Sequence, residues 1–209
     1  MKKFLVLFIL FVLPLGAYLF IIQGKINFEK LPVLTQNVLE LDELDASGDV
    51  EFESKISVVA FIGEDLDRMQ MGVLNLNEIV YKKLVKYKQF QIVAVLPNGM
   101  QEDVEKMTQD LNFMVGTDLQ KWKFVFGSPE QIERLHNSFE TNNNLDEDLS
   151  DNYVYIIDKE DGLRGRSEEQ FGYNMFQAAS LKNELLDDVK VVFYEYNSAL
   201  KEFDNKREI

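Results

Sequence analysis

Three carboxylates, Glu64, Asp65 and Asp67, fall within four residues and run into Arg68, Met69 and Met71. Carboxylate oxygens hold hard cations or a cationic partner, and thioether sulfur holds cuprous copper, so this stretch is where a metal carrier or a residual enzyme would do its work. The same residues have a plainer use. Asp at a helix start caps free N–H groups and gains about 0.3–1 kcal/mol from the helix dipole, and two methionines without Cys or His fill a core better than they hold copper. His136, the single histidine, sits beside Leu135 in a helical pattern and reads as a surface or half-buried helix residue. Asp146, Glu147, Asp148 and Asp151 form an acid-rich loop without the Gly and spaced ligands of a calcium loop, which predicts solvated flexibility. Arg164 and Arg166 flank Gly165 and fit an edge strand, or pairing with Glu168, Glu169 or an acidic partner.

Composition removes whole classes of chemistry. The chain has no cysteine, so disulfides, thiol catalysis and thiolate metal sites are excluded, as is structural zinc of the usual Cys/His type. Its 209 residues carry 22 Lys and Arg against 36 Asp and Glu, a formal charge of -14, which is a poor match for phosphate-rich nucleic acid. No GxSxG, P-loop, HExxH or Gly-rich dinucleotide fingerprint occurs, and no cofactor is implied.

The elements that must position these residues alternate along the chain. Leu39, Leu41 and Leu44, then Ser47-Gly48-Asp49, then Val50 and Phe52 predict two short strands joined by a Gly turn. Ile56 to Ile62 and Phe90 to Leu96 are short and almost continuously apolar, as strands covered on both faces are. Between them Val73, Leu76, Val80, Leu84 and Tyr87 recur at helical intervals, and Val104, Met107 and Leu111 mark a second helix. Lys121 to Phe126 predicts a strand, and Ser128-Pro129 opens a helix with Ile132, Leu135 and Phe139 on its apolar face. Asn142 to Asn152 is a polar loop, Tyr153 to Ile157 a strand, and Leu163 begins a pairing strand. A long helix carries Met175 to Leu200. Strands alternating with helices make an α/β domain.

Ahead of that domain, Phe4 to Ile22 contains no charge and is interrupted only by Pro14 and Gly16. At about 1.5 Å per residue its nineteen residues span roughly 28 Å, the thickness of a bilayer's hydrocarbon core. The apolar run continues past the one signal-cleavage pattern, Leu15-Gly16-Ala17, which favours a retained anchor over a secreted domain released by cleavage. Lys2 and Lys3 bias the N-terminus inward. The reading is a single-pass anchor over residues 1–24 in the bilayer of a bacterial cytoplasmic membrane, a linker over 25–38, and a domain over 39–209 in the periplasm or cell exterior. Every acidic residue lies from Glu29 onward, so that domain is repelled by anionic lipid.

Three stretches carry a family resemblance: "LDASGDVEFESKISVVAFIG", "WKFVFGSPEQIERL" and "YVYIIDKEDGLRGR". Together with the element order they resemble the thioredoxin-like superfamily, in particular SCO/SenC-like and TlpA/peroxiredoxin-like membrane-anchored members. The resemblance implies a central mixed sheet flanked by helices and preceded by an N-terminal β-hairpin. It also implies that reactive cysteines would stand where this chain has Glu64, Asp65, Asp67 and Arg68. Ser150 falls where the family carries a metal-binding histidine, and Asn152 where it carries a cis-proline. A non-proline cis bond costs about 2.5–4 kcal/mol, so Asn152 is expected to be trans. What the resemblance leaves is a degenerate active-site loop, Glu64, Asp65, Asp67, Arg68 and Asn152, contacting a membrane or periplasmic protein partner, with respiratory oxidase assembly as the implied setting.

Overall fold

The computed structural model describes residues 30–46, 50–116, 119–167 and 171–207, together with Phe8 and Val12, with the side chains of the last helix described as far as Asn197. Apart from Phe8 and Val12, the apolar segment read as an anchor lies outside these residues, as do Ser47, Gly48, Asp49, Glu168 and Glu169. Among the described residues no helix is long and apolar enough to cross a membrane.

Two fully buried strands form the centre: β3 (Ile56–Ile62) and β4 (Phe90–Pro97), paired in parallel from Ile56↔Phe90 to Phe61↔Val95. Their β-branched, almost unbroken apolar sequences suit a sheet covered on both faces. Alternate residues go to opposite sides, Ile56, Val58, Ala60 and Ile62 to one core and Val59 and Phe61 to the other. Strand β5 (Trp122–Gly127) continues the parallel set beyond β4, and β6 (Ser150–Ile157) pairs antiparallel with β3. Strands β7 (Leu163–Arg164) and β8 (Tyr173–Asn174) pair with successive stretches of β6. β1 (Val33–Thr35) extends the sheet past β7, and β2 (Asp45–Ala46) closes the other edge against β5.

Helix α1 (Leu66–Asn75) passes into a π-helical turn (Leu76–Tyr81) and a last α-turn, α2 (Lys82–Leu84). Helix α3 (Gln101–Val115) ends at Gly116 in the left-handed conformation, and α4 (Pro129–Asn137) begins at a capping box between Ser128 and Gln131. A short turn α5 (Ala178–Ser180) and a second π-helical turn (Leu181–Leu185) lead into α6 (Leu186–Arg207). α1, α3 and α6 pack on one face of the sheet through Val73, Leu111 and Val189, and α4 packs on the other through Ile132 and Leu135. The result is a three-layer α/β/α domain.

Among the described residues the expected N-terminal hairpin is not seen. β1 and β2 lie at opposite edges of the sheet and pair with β7 and β5. Phe52 is instead completely buried in the second core, and the Glu40 carboxylate accepts from the N–H groups of Phe52 and Glu53 at 3.0 and 2.8 Å. The alternation of Val50 and Phe52 therefore records burial against the sheet, with a side chain in place of a partner strand. Within the stretch read as a linker, Leu31 is in the core and β1 begins at Val33. β6 starts at Ser150, inside the expected loop, and Met175 precedes the last helix.

Candidate functional site

The site is built where β3 ends. Gly63, at φ +68°, turns the chain so closely over the acidic loop that a Cβ there would stand 2.3 Å from the Asp148 carbonyl oxygen. The Glu64 N–H donates to that same carbonyl at 2.9 Å. Asp65 then caps α1, its Oδ1 accepting from the Arg68 N–H at 3.0 Å. One turn into the helix, Arg68 reaches back across the loop. Its Nη1 donates to Asn152 Oδ1 at 3.1 Å, and its Nη2 lies 3.1 Å from Asp146 Oδ2 and 3.4 Å from Asp148 and contacts Ser150 Oγ. Ser150, fully buried, donates to Asp148 Oδ1 at 2.6 Å. Burial raises the Asp148 carboxyl, but donation from Ser150 and the Arg68 charge outweigh it, and its pKa lies below the ordinary carboxylate value.

The structure thus joins Arg68 to Asn152 directly, with Asp65 capping α1 from an exposed position. Glu64, Asp65 and Asp67 line a cleft of about 350 Å³ between the starts of α1 and α3, shared with Asp103, Lys106 and Asp110. No peptide bond among the described residues is cis, so Asn152 is trans. Met69 is buried in the core and Met71 is 59% exposed, so the two sulfurs are not presented together. Among the described residues no group of three or more His, Asp or Glu side chains is arranged to hold a metal ion.

The acid-rich loop is not simply solvated: Asp148 is tied to Ser150 and Arg68, and Asp151 is buried. His136 is neither on the surface nor half-buried; it is 4% exposed, with Nε2 3.4 Å from Asp151 Oδ2 and its ring edge-on to Phe61. Tyr155, also buried, donates its hydroxyl to the same carboxylate, and the burial raises its pKa further above the ordinary tyrosine value. Arg164 is no edge-strand charge. It is buried between Asp158, at 2.8 Å, and Glu195, whose other oxygen accepts the Leu31 N–H at 2.8 Å. Arg166 pairs with Asp188 at 2.7 Å. The signal that could have found Arg68's partners was charge: an isolated cation among carboxylates, facing an acid-rich loop that the resemblance sets at the same end of the sheet.

No protein-family model matches the chain, and no curated protein matches it in sequence. Solved structures do match in fold. BsSco, a member of the Sco family of cytochrome c oxidase assembly proteins, superposes with a TM-score of 0.52 at 14% identity, over 78% of this chain and 98% of that one. A SCO1/SenC family lipoprotein from Bacillus anthracis gives 0.52 at 13% identity, over the same shares. A putative protein disulfide isomerase from Bacteroides thetaiotaomicron gives 0.52 at 7% identity, over 78% and 93%. The fold is thioredoxin-like, and SCO/SenC members and a putative disulfide isomerase are among its structural neighbours. With no cysteine in the sequence, the chain has no thiol of its own for disulfide exchange.

Proposed function

We propose that this chain is a membrane-anchored, non-catalytic thioredoxin-like protein that works by protein contact on the outer side of a bacterial cytoplasmic membrane. The observation that carries the reading is the Arg68 guanidinium bound among Asn152, Ser150, Asp148 and Asp146, which fills the end of β3 with a polar network that contains no thiol. The apolar run from Phe4 to Ile22 supports the anchor. Tethering holds the domain at high effective concentration beside membrane partners, so a weak interface suffices. Respiratory oxidase assembly is the proposed setting, supported by the likeness to BsSco in fold.

Photo-crosslinking in native membranes tests the contact. A crosslinker placed at Asp67 or Gln70 of the full chain should yield a discrete heterologous adduct that the same group at Lys190 does not. Equal labelling from both faces, or none from either, rejects the proposal. A copper-carrier role for Glu64 to Met71 predicts stoichiometric cuprous binding that is lost in Met69→Leu with Met71→Leu. The opposed placement of the two sulfurs argues for no such loss. Mass measurement of the mature N-terminus separates the anchored form from a secreted one.

A further inference from the structure

A second cleft, of about 420 Å³, opens on the outer side of β8, within the range of small-ligand sites. Its lining is unusual in composition: five carboxamides, Asn142, Asn143, Asn174, Gln177 and Asn183, stand with the rings of Tyr153 and Phe171. No Lys or Arg lines it, and its one carboxylate, Glu184, already accepts the Ser180 hydroxyl at 2.9 Å.

Two of the amides are oriented from behind. Asn143 Nδ2 donates to Tyr155 Oη at 2.9 Å, and Tyr155 in turn donates to the buried Asp151 carboxylate. The carbonyl oxygen of Asn143 is therefore left for the cleft. Asn174 is held the opposite way: its Oδ1 accepts the Phe176 N–H at 2.9 Å, which leaves its NH₂ group as a donor. The carboxamides of Asn142, Gln177 and Asn183 are unengaged by other described residues. Gly172 makes room for this arrangement, since a Cβ there would come within 2.9 Å of Tyr153 Cβ.

A fixed acceptor, a fixed donor and three amides unengaged by other described residues, beside two aromatic rings, suit a ligand whose polar groups both donate and accept and whose other surface is C–H. Hydroxyls on a sugar ring have that character, whereas an anion would meet Glu184 without a compensating cation and a cation would find its carboxylate already engaged. We infer that this cleft binds a neutral oligosaccharide, stacked on Tyr153 and Phe171 and hydrogen-bonded by Asn143, Asn174, Gln177 and Asn183. The internal hydrogen bonds set two of these groups before the ligand arrives, which lowers the ordering cost of binding.

Calorimetry on the full chain in lipid nanodiscs tests the inference without sugar-based detergent. The probes are the trimers of N-acetylglucosamine, glucose in β1,4 linkage and glucose in α1,4 linkage, with trigalacturonic acid and a neutral Gly-Ser-Asn peptide for comparison. At least one neutral trimer should bind with one-to-one stoichiometry, and Gln177→Ala with Asn183→Ala should weaken it about tenfold while leaving the melting temperature unchanged. Trigalacturonic acid should bind about tenfold more weakly than the best neutral trimer. Affinity should rise from the monosaccharide to the trimer, and equal affinity for the two overturns the oligosaccharide assignment. No neutral sugar bound at about 10 mM overturns it, as does binding indifferent to the double variant, or binding of the peptide in place of the sugars.

Discussion

Arg68 Nη1 donates to Asn152 Oδ1 across 3.1 Å, tying the first turn of α1 to the strand that leaves the acidic loop. The same guanidinium meets Asp146 and Asp148, so one side chain closes the loop over the end of β3. Arg68→Ala should cost about 1–2 kcal/mol, a modest figure because the ion pairs are partly solvated. Arg68→Lys should recover less than half of it, since an ammonium lacks the planar fork that reaches Asn152 and the carboxylates together. Urea unfolding gives the energies. Hydrogen exchange should quicken over residues 148–152 in the alanine variant and leave the β4 amides unchanged.

Acid should weaken the same link. The folded pKa of Asp148 is depressed, so its contribution is present above the unfolded carboxylate value and is lost as pH falls through the folded one. Wild type and Asp148→Asn should differ most at neutral pH, and the gap should close below about pH 4. A gap that widens in acid contradicts the assignment. Urea midpoints measured across this range decide it.

Asp161 behaves in the opposite sense. Burial first, and then the neighbouring Glu40 carboxylate, push it up to about 6. The Glu40 carboxylate beside it accepts from the Leu41, Phe52 and Glu53 N–H groups. A raised carboxyl favours the folded state below its unfolded value and loses that advantage as pH climbs through the folded one. Asp161→Asn, whose side chain tolerates the φ of 56°, should therefore gain about 1 kcal/mol near pH 7, after screening, and nothing near pH 4. Thermal melts at the two pH values measure it.

Gly63→Ala should open the site from its other side. The new methyl would meet the Asp148 carbonyl at 2.3 Å and the Ser150 nitrogen at 2.7 Å, in a conformation that L-residues disfavour. A loss of about 2–4 kcal/mol is expected. Protection of the Glu64 amide, which donates to Asp148, should fall with it, and a variant as stable as wild type counts against so close an approach.

The central strands and the helices are legible because each records its own burial. Ile56 to Ile62 and Phe90 to Leu96 are apolar along their length since both faces are covered, and Ser128-Pro129 with Gln131 spells a helix start that the capping box realises. The hairpin is not, because Phe52 is buried by a loop that Glu40 holds, and alternation alone does not distinguish a partner strand from a core contact. β8 has two residues, too few for any period to register. Of the candidate site, Arg68 and Asn152 come together through a resemblance, which also marks Ser150 as a lost metal-binding position, whereas Asp146 and Asp148 read as a solvated loop until the fold sets them around the guanidinium.

Sequence by itself determined what this protein lacks and how its segments alternate: without sulfur nucleophiles or a second histidine, no fold can supply thiol exchange or a His-paired site. Only tertiary structure decided which polar groups meet. Arg68 with Asn152, His136 with Asp151, Arg164 with Glu195 and Asn143 with Tyr155 are brought together by strand pairing across the sheet and by helices packed on it. A residue's own neighbours in the chain carry the signal for burial and for caps, because those are local. The partner of a buried charge or amide is set by which elements stack in space, and no period along the chain encodes that.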